Sequence, residues 1–267
     1  MKRILLYFFP LILLFTVTGC DLLEPVNHSF SPLDSKIDFK VIESFQDYYT
    51  PSGPEIYLQL ETEKIYGCIN FSVAAKVTGK NNEITVEILG IDKPEICATA
   101  IGPATSSIKL ENPEGIHALK FINHSLGFTD TYNLLVNDSL IIVDGKETKN
   151  TKPSINFFWR YPENSFAYFC DVNTGDSTLC TKFLDTLKSV IHLTEFTFPD
   201  FGTNPYVFRS GKSENSIIKY FRYETEDDFD MVSDILKRFM QSRYISGEDL
   251  QISILNWRNE QIYSWTL

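Results

Sequence analysis

The chain has 267 residues, 43% of them hydrophobic and 22% charged, with 24 Lys+Arg against 35 Asp+Glu. That balance is globular and excludes a disordered, collagen-like or multi-pass membrane protein. A net charge of −11 also excludes non-specific nucleic-acid binding, because neutralising phosphates requires clustered cations.

The leader is the most informative segment. Met1-Lys2-Arg3 is a basic start, Ile4 to Val17 is almost purely apolar, and Val17-Thr18-Gly19-Cys20 closes the run. The run is shorter than the ~20 residues that a helix needs to cross hydrocarbon, so the pattern is that of an export signal. Val17-Thr18-Gly19-Cys20 resembles the lipobox of bacterial lipoproteins, in which an aliphatic and two small residues precede a cysteine. The resemblance implies removal of residues 1–19, diacylglycerol on the Cys20 thiol and an acyl chain such as palmitate on its amine. Several acyl chains are a sufficient anchor. Cleavage removes Lys2 and Arg3 and no acid, so the mature body is too acidic to sit on anionic headgroups by charge. The implied location is outside the cytoplasm, lipid-anchored to a bacterial membrane. Asp21 resembles an inner-membrane retention signal of enteric bacteria, a rule that differs between groups and leaves inner or outer membrane open.

With Cys20 lipidated, Cys68, Cys97, Cys170 and Cys180 remain. An even number in an exported chain reads as two disulfides with three possible connectivities. Cys68–Cys97 with Cys170–Cys180 is preferred, because each pair then falls inside one expected domain. The alternative is a reactive thiol at Cys180, near a helix N-terminus.

Residues 20–35 read as the lipidated tether. Residues 36–145 read as an antiparallel β-sandwich of seven or eight short strands, among them Ile37–Val41, Ile56–Leu60, Ile69–Val77, Ile84–Ile88, Ile116–Ile122, Thr131–Val136 and Leu140–Val143, with Gly102-Pro103 among the breaks. Asp130 to Val136 resembles the approach to a late strand of immunoglobulin-like domains, where a tyrosine, here Tyr132, bonds back to the backbone at a corner. The second cysteine and the tryptophan of that family are absent. Residues 146–153 read as a polar linker. Residues 154–267 read as an α+β two-layer domain, with a ferredoxin-like centre as one arrangement. Its expected elements are a hairpin of Ile155–Tyr161 with Phe166–Cys170, a helix over Thr178–Leu193 and a strand over Ser216–Tyr223. A helix capped by Thr225 follows, then a hairpin of Leu250–Leu255 with Gln261–Thr266. Phe183, Leu184, Leu187, Val190 and Ile191 mark the buried face of the first helix, and Phe229, Val232, Ile235, Leu236 and Phe239 that of the second.

Chemical motifs are sparse. His28, His117, His124 and His192 show no metal-ligand spacing. Gly211-Lys212-Ser213 has Tyr206 where a phosphate loop needs glycine. The Asp171–Asp176 turn has Lys182 where a calcium loop needs glutamate. Glu224, Glu226, Asp227, Asp228 and Asp230 form the densest acidic cluster. They read either as a solvated helix start or as paired carboxylates acting as acid and base on a glycoside. Trp159, Trp257 and Trp265 all lie in the second half with many tyrosines. Trp257, Trp265 and Tyr263 are the candidate partner-binding residues, for an envelope protein or a glycan. No catalytic residue, metal ligand or cofactor is assigned. The sequence therefore reads as a membrane-anchored, non-enzymatic envelope lipoprotein with a spacer sandwich and a partner-binding C-terminal domain. The alternative is an envelope hydrolase acting on glycan through carboxylates near Glu224–Asp230.

Overall fold

The computed structural model describes residues 30–47, 50–172, 178–207, 216–243 and 250–266. The leader, Cys20 and residues 173–177 of the turn between Cys170 and Cys180 lie outside the described residues, as do Gly211-Lys212-Ser213. Half of the structure is one sheet built from β1 (Ile37–Ser44), β2 (Glu55–Tyr66), β3 (Ser72–Lys80), β4 (Glu83–Asp92), β5 (Gly102–Lys109), β6 (Gly115–Asn123), β7 (Phe128–Val136), β8 (Leu140–Asp144), β9 (Thr151–Pro153) and β10 (Phe157–Trp159). The strand order is β10-β8-β7-β6-β4-β3-β5-β2-β1-β9. Alternation sets its faces: β1 buries Ile37, Phe39, Val41 and Glu43 and leaves the intervening residues half-buried. The sheet curls over its own apolar face, so that the Phe39 ring lies 4.5 Å from Phe121 on β6 and 4.9 Å from Tyr132 on β7. The result is a sandwich-like layer pair around one core.

The sheet is not purely antiparallel. Glu83–Glu87 of β4 pair in parallel with Ala118–Ile122 of β6, because the chain leaves β4 and forms β5 against β2 before it returns. Gly102-Pro103, expected as a break, opens β5; proline is tolerated at the first residues of a strand, and the polar Thr105-Ser106-Ser107 run hid the rest. The expected linker likewise ends in a strand. Thr151–Pro153 pair in parallel with β1, and Phe157–Trp159 then pair with β8. One extended segment therefore bonds to both edges of the curled sheet, satisfying edge groups that would otherwise face water.

Tyr132 fixes this closure. Its buried hydroxyl donates to the Thr151 carbonyl at 2.9 Å, forward along the chain and not back to a corner. The Asp130 carboxylate accepts from the hydroxyls of Thr148 and Thr151 at 2.6 and 2.8 Å. Gly145, at φ 154°, lies under the ring, where a Cβ would stand 2.6 Å from Tyr132 Cδ1.

The second sheet contains β11 (Ser165–Val172), β12 (Thr194–Phe196), β13 (Ile217–Arg222), β14 (Leu250–Asn256) and β15 (Gln261–Tyr263), in the order β12-β13-β11-β14-β15. Helix α1 (Leu179–Lys188) follows β11, and α2 (Glu226–Arg243) joins β13 to β14. Phe166, Tyr168 and Cys170 of β11 face both helices, meeting Phe183 and Leu187 of α1 and Val232, Leu236 and Phe239 of α2 in one core. Helix α1 ends earlier than its apolar spacing suggested, so Ile191 is buried beyond it while Val190 is exposed. The expected hairpin of Ile155–Tyr161 with Phe166–Cys170 does not form. β11 is the central strand and pairs with β13 and β14, so β10 has no free edge there to join. The closing hairpin forms, with Asn259 in the left-handed region at φ 65°.

Both favoured disulfides are present, Cys68–Cys97 and Cys170–Cys180, with Cα atoms 5.3 and 5.8 Å apart. Two disulfides belong to an oxidising, exported environment. Among the described residues no helix is long and apolar enough to cross a membrane.

Tyr132→Phe should leave the fold intact and cost about 1–2 kcal/mol, the worth of its buried hydroxyl bonds, read as a lower urea midpoint with unchanged slope. Gly145→Ala should cost more than Tyr132→Phe, because the new methyl has no room beside the ring. Equal stability of the two variants would contradict that packing.

Candidate functional site

Two clefts lie where the two sheets meet. Strand β10 is bonded on both sides: β8 takes one edge, and the loop after β12 takes the other. The Trp159 amide donates to the Thr203 carbonyl at 2.9 Å, and the Thr203 amide donates to the Phe157 carbonyl at 2.8 Å. The Trp159 indole N–H donates to the Phe201 carbonyl at 2.7 Å. Gly202, at φ 81°, makes this approach possible, since a Cβ there would lie 3.1 Å from Phe157 Cβ and 3.2 Å from the indole nitrogen.

The next residues carry the charge. Arg160 Nε donates to Glu43 Oε1 at 2.6 Å, while its Nη1 reaches Glu114 Oε1 at 2.9 Å and the Asn137 carbonyl at 2.7 Å. The second oxygen of Glu43 accepts from the Tyr161 amide at 2.7 Å. Glu43 is only 4% exposed. Burial pushes its carboxyl above the ordinary value, with Arg160 and the Tyr161 amide pulling the other way. A buried carboxylate is tolerated here because each oxygen has a donor.

Beyond Arg160 the contacts are aromatic. The Tyr161 hydroxyl donates to the Pro205 carbonyl at 2.8 Å, and its ring stands edge-on to Tyr206 at 4.9 Å. Tyr206 stacks on Tyr220 of β13 at 5.9 Å, and Phe198 meets Tyr220 edge-on at 5.0 Å. Burial raises the affinity of Tyr161 and Tyr206 for their protons, so both stay neutral donors. This aromatic layer covers the face of the second sheet opposite its helices. Ala167 of β11, paired with Tyr220, is buried on this face.

Two clefts flank the junction, and Glu43 and Tyr161 border both. The first, about 640 Å³, is lined by Trp159, Arg160, Phe196, Phe198, Arg222 and Trp257 among others. The Arg222 guanidinium lies 5.7 Å from the Phe196 ring centre. The second cleft, about 530 Å³, includes Phe45, Tyr161, Val207, Tyr263 and Trp265.

The aromatics singled out in the sequence divide between these clefts. Trp257 is half-buried, donates its indole N–H to the Tyr223 hydroxyl at 3.0 Å and borders the first cleft. Trp265 is 51% exposed and stacks on Tyr263 with ring centres 4.6 Å apart, at the second. They do not form one strip, because the turn at Asn259 separates them. Arg160, Arg222, Phe196 and Phe198 also line the first cleft and were not apparent from sequence. The alternating Phe196-Thr197-Phe198 run was the available signal.

The acidic cluster is used elsewhere. Asp228 accepts from the Thr225 amide and hydroxyl at 2.8 and 2.9 Å, which supplies the carboxylate half of a capping box at the start of α2. Glu224 pairs with His192 at 2.6 Å on the exposed surface, beyond the end of α1. Glu226 meets the Tyr223 hydroxyl at 3.3 Å. Asp227 and Asp230 are exposed, and none of these acids borders either cleft. Among the described residues no group of three His, Cys, Asp or Glu could hold a metal ion. His124 pairs with Glu87 across 3.4 Å. Comparison with protein-family models, curated proteins and solved structures gives no match.

Glu43→Ala should cost about 3 kcal/mol, because it leaves the Arg160 charge and the Tyr161 amide without their buried partner. Glu43→Gln, which keeps an acceptor, should cost less. Urea unfolding of the three proteins decides it, and a neutral Glu43→Ala would refute the role given to the pair.

Proposed function

We propose that this protein is a non-enzymatic lipoprotein of a bacterial envelope, held by lipid on Cys20, whose sandwich-like unit is a spacer and whose α+β unit engages a protein partner. The observation that carries the partner reading is the pair of aromatic clefts at the junction, with exposed Trp265 stacked on half-buried Tyr263 at one and Trp257 with Arg222 at the other. Aromatic and arginine side chains around a partly desolvated cleft are the composition of interface hot spots. Neighbouring Asp138 and Glu163 add acidic rim groups that set orientation more than affinity. The lipobox supports the anchor, and the two disulfides support export. The strand order of the second unit supports a ferredoxin-like reading.

Two measurements test this reading. Intact-mass analysis of the native protein should find residues 1–19 gone and acyl chains on Cys20; a retained Met1 or a bare Cys20 would sink the anchor. A photo-crosslinker at Trp265 or Trp257, activated in the intact envelope, should give the same recurrent adduct from both clefts, while one at Thr78 gives none. Loss of the adduct in Trp257→Ala should leave the fold unchanged by circular dichroism. No adduct at either cleft would refute the partner reading.

A further inference from the structure

The end of the first sheet away from the junction has a composition that its structural role does not explain. There the β2–β3 and β4–β5 connections are stapled by Cys68–Cys97. The Ile69 amide donates to the Ala100 carbonyl at 2.6 Å. Asn70 binds the loop on both sides, donating to the Ile96 carbonyl at 2.7 Å and accepting from the Ala98 amide at 3.0 Å. On this ordered frame four isoleucines face outward: Ile96 at 83% exposure, Ile101 at 73%, Ile65 at 55% and Ile69 at 50%. Single exposed apolar residues are ordinary; four on one stapled end are not.

The chain enters the fold at this same end. Before β1 the backbone runs back along β2 toward the staple: the Glu63 amide donates to the Lys36 carbonyl, the Lys64 amide to Ser35 Oγ, and the Tyr66 hydroxyl to Asp34. Ser31 then exchanges both backbone bonds with Ile91, at 2.9 and 2.8 Å, next to the start of the isoleucine loop. Gly90 permits the approach, since a Cβ there would lie 2.3 Å from the Ser31 carbonyl oxygen. The α+β unit meets the first sheet beyond the opposite end of β1, where the Asn259 side-chain amide donates to the Asp47 carbonyl at 3.4 Å and the Ser52 amide to the Arg258 carbonyl at 3.1 Å.

We propose that Ile65, Ile69, Ile96 and Ile101 insert into the lipid–water interface of the membrane that carries the anchor. This rests on lipidation of Cys20. About ten residues separate Cys20 from Phe30, so the point of entry lies within ~35 Å of the acyl chains, at the end that presents the isoleucines. Charge does not draw an acidic body onto anionic lipid, so the contact is apolar. The staple holds the loops in place before contact, which lowers the entropy lost on docking. The insertion stands the sheet away from the bilayer and points the junction clefts outward.

The test uses the full acylated chain in phosphatidylethanolamine–phosphatidylglycerol vesicles, with an encoded spin-labelled residue at Thr99 or at Lys237. Power saturation should find Thr99 more accessible to oxygen than to a water-soluble nickel chelate, and Lys237 the reverse. Ile96→Asp with Ile101→Asp should return Thr99 to the aqueous pattern. A Thr99 label as open to the chelate as Lys237, or shielded from both reagents by another protein molecule, would overturn the proposal. Intact mass of the same sample reads the acylation separately. If Cys20 is bare, the unacylated chain should still partition onto vesicles, with the double substitution lowering that partition at least tenfold. Absence of partition, or partition insensitive to the substitution, would overturn the proposal independently of the anchor.

Discussion

The pairing of Glu43 with Arg160 fixes the segment through which the two halves of the molecule meet. Glu43 continues the inward-facing row of β1, a position that alternation reserves for an apolar residue. A carboxylate there would be expensive without partners. The chain supplies them from the segment that has just closed the first sheet, through the Arg160 guanidinium and the Tyr161 amide. Those bonds fix Tyr161, whose ring and hydroxyl then order Tyr206 and Pro205 across the second sheet. The clefts lie on either side of this arrangement, and Glu43 and Tyr161 border both.

Much of the architecture was legible from periodicity. The alternating residues of β1, β4 and β7 are the ones the core buries, and the spacing in α2 marks its buried face. The disulfide pairing followed from keeping each bond within one unit. What escaped was structure determined by backbone pairing between distant segments. Strand β5 is polar, and β9 and β10 are short; each exists because an edge needs a partner, a demand that local composition does not display. β11 misled for the opposite reason. Its unbroken apolar run reflects burial on both faces of a central strand, where a hairpin partner had been expected.

The site was legible in part. Trp257, Trp265 and Tyr263 were visible as aromatics, but alternation could not be phased across the Asn259 turn, so their division between two clefts needed coordinates. Arg160 stood out by nothing local, since its partners lie far away in sequence at Glu43 and Glu114. The acidic run near Glu224 was conspicuous for a local reason. Helix starts attract acids, and Asp228 satisfies that rule as a cap. The conspicuous charges and the charges that border the clefts are thus different residues in this chain.

The sheets must form one rigid body, because only a fixed junction holds the clefts open and directs them away from the isoleucine end. The most direct measurement is the distance distribution between spin labels, encoded as non-canonical residues, at Thr78 on the first sheet and Lys237 on α2. A single narrow distribution that broadens in Glu43→Ala is the expected result. A broad or bimodal distribution in the unsubstituted protein would contradict it.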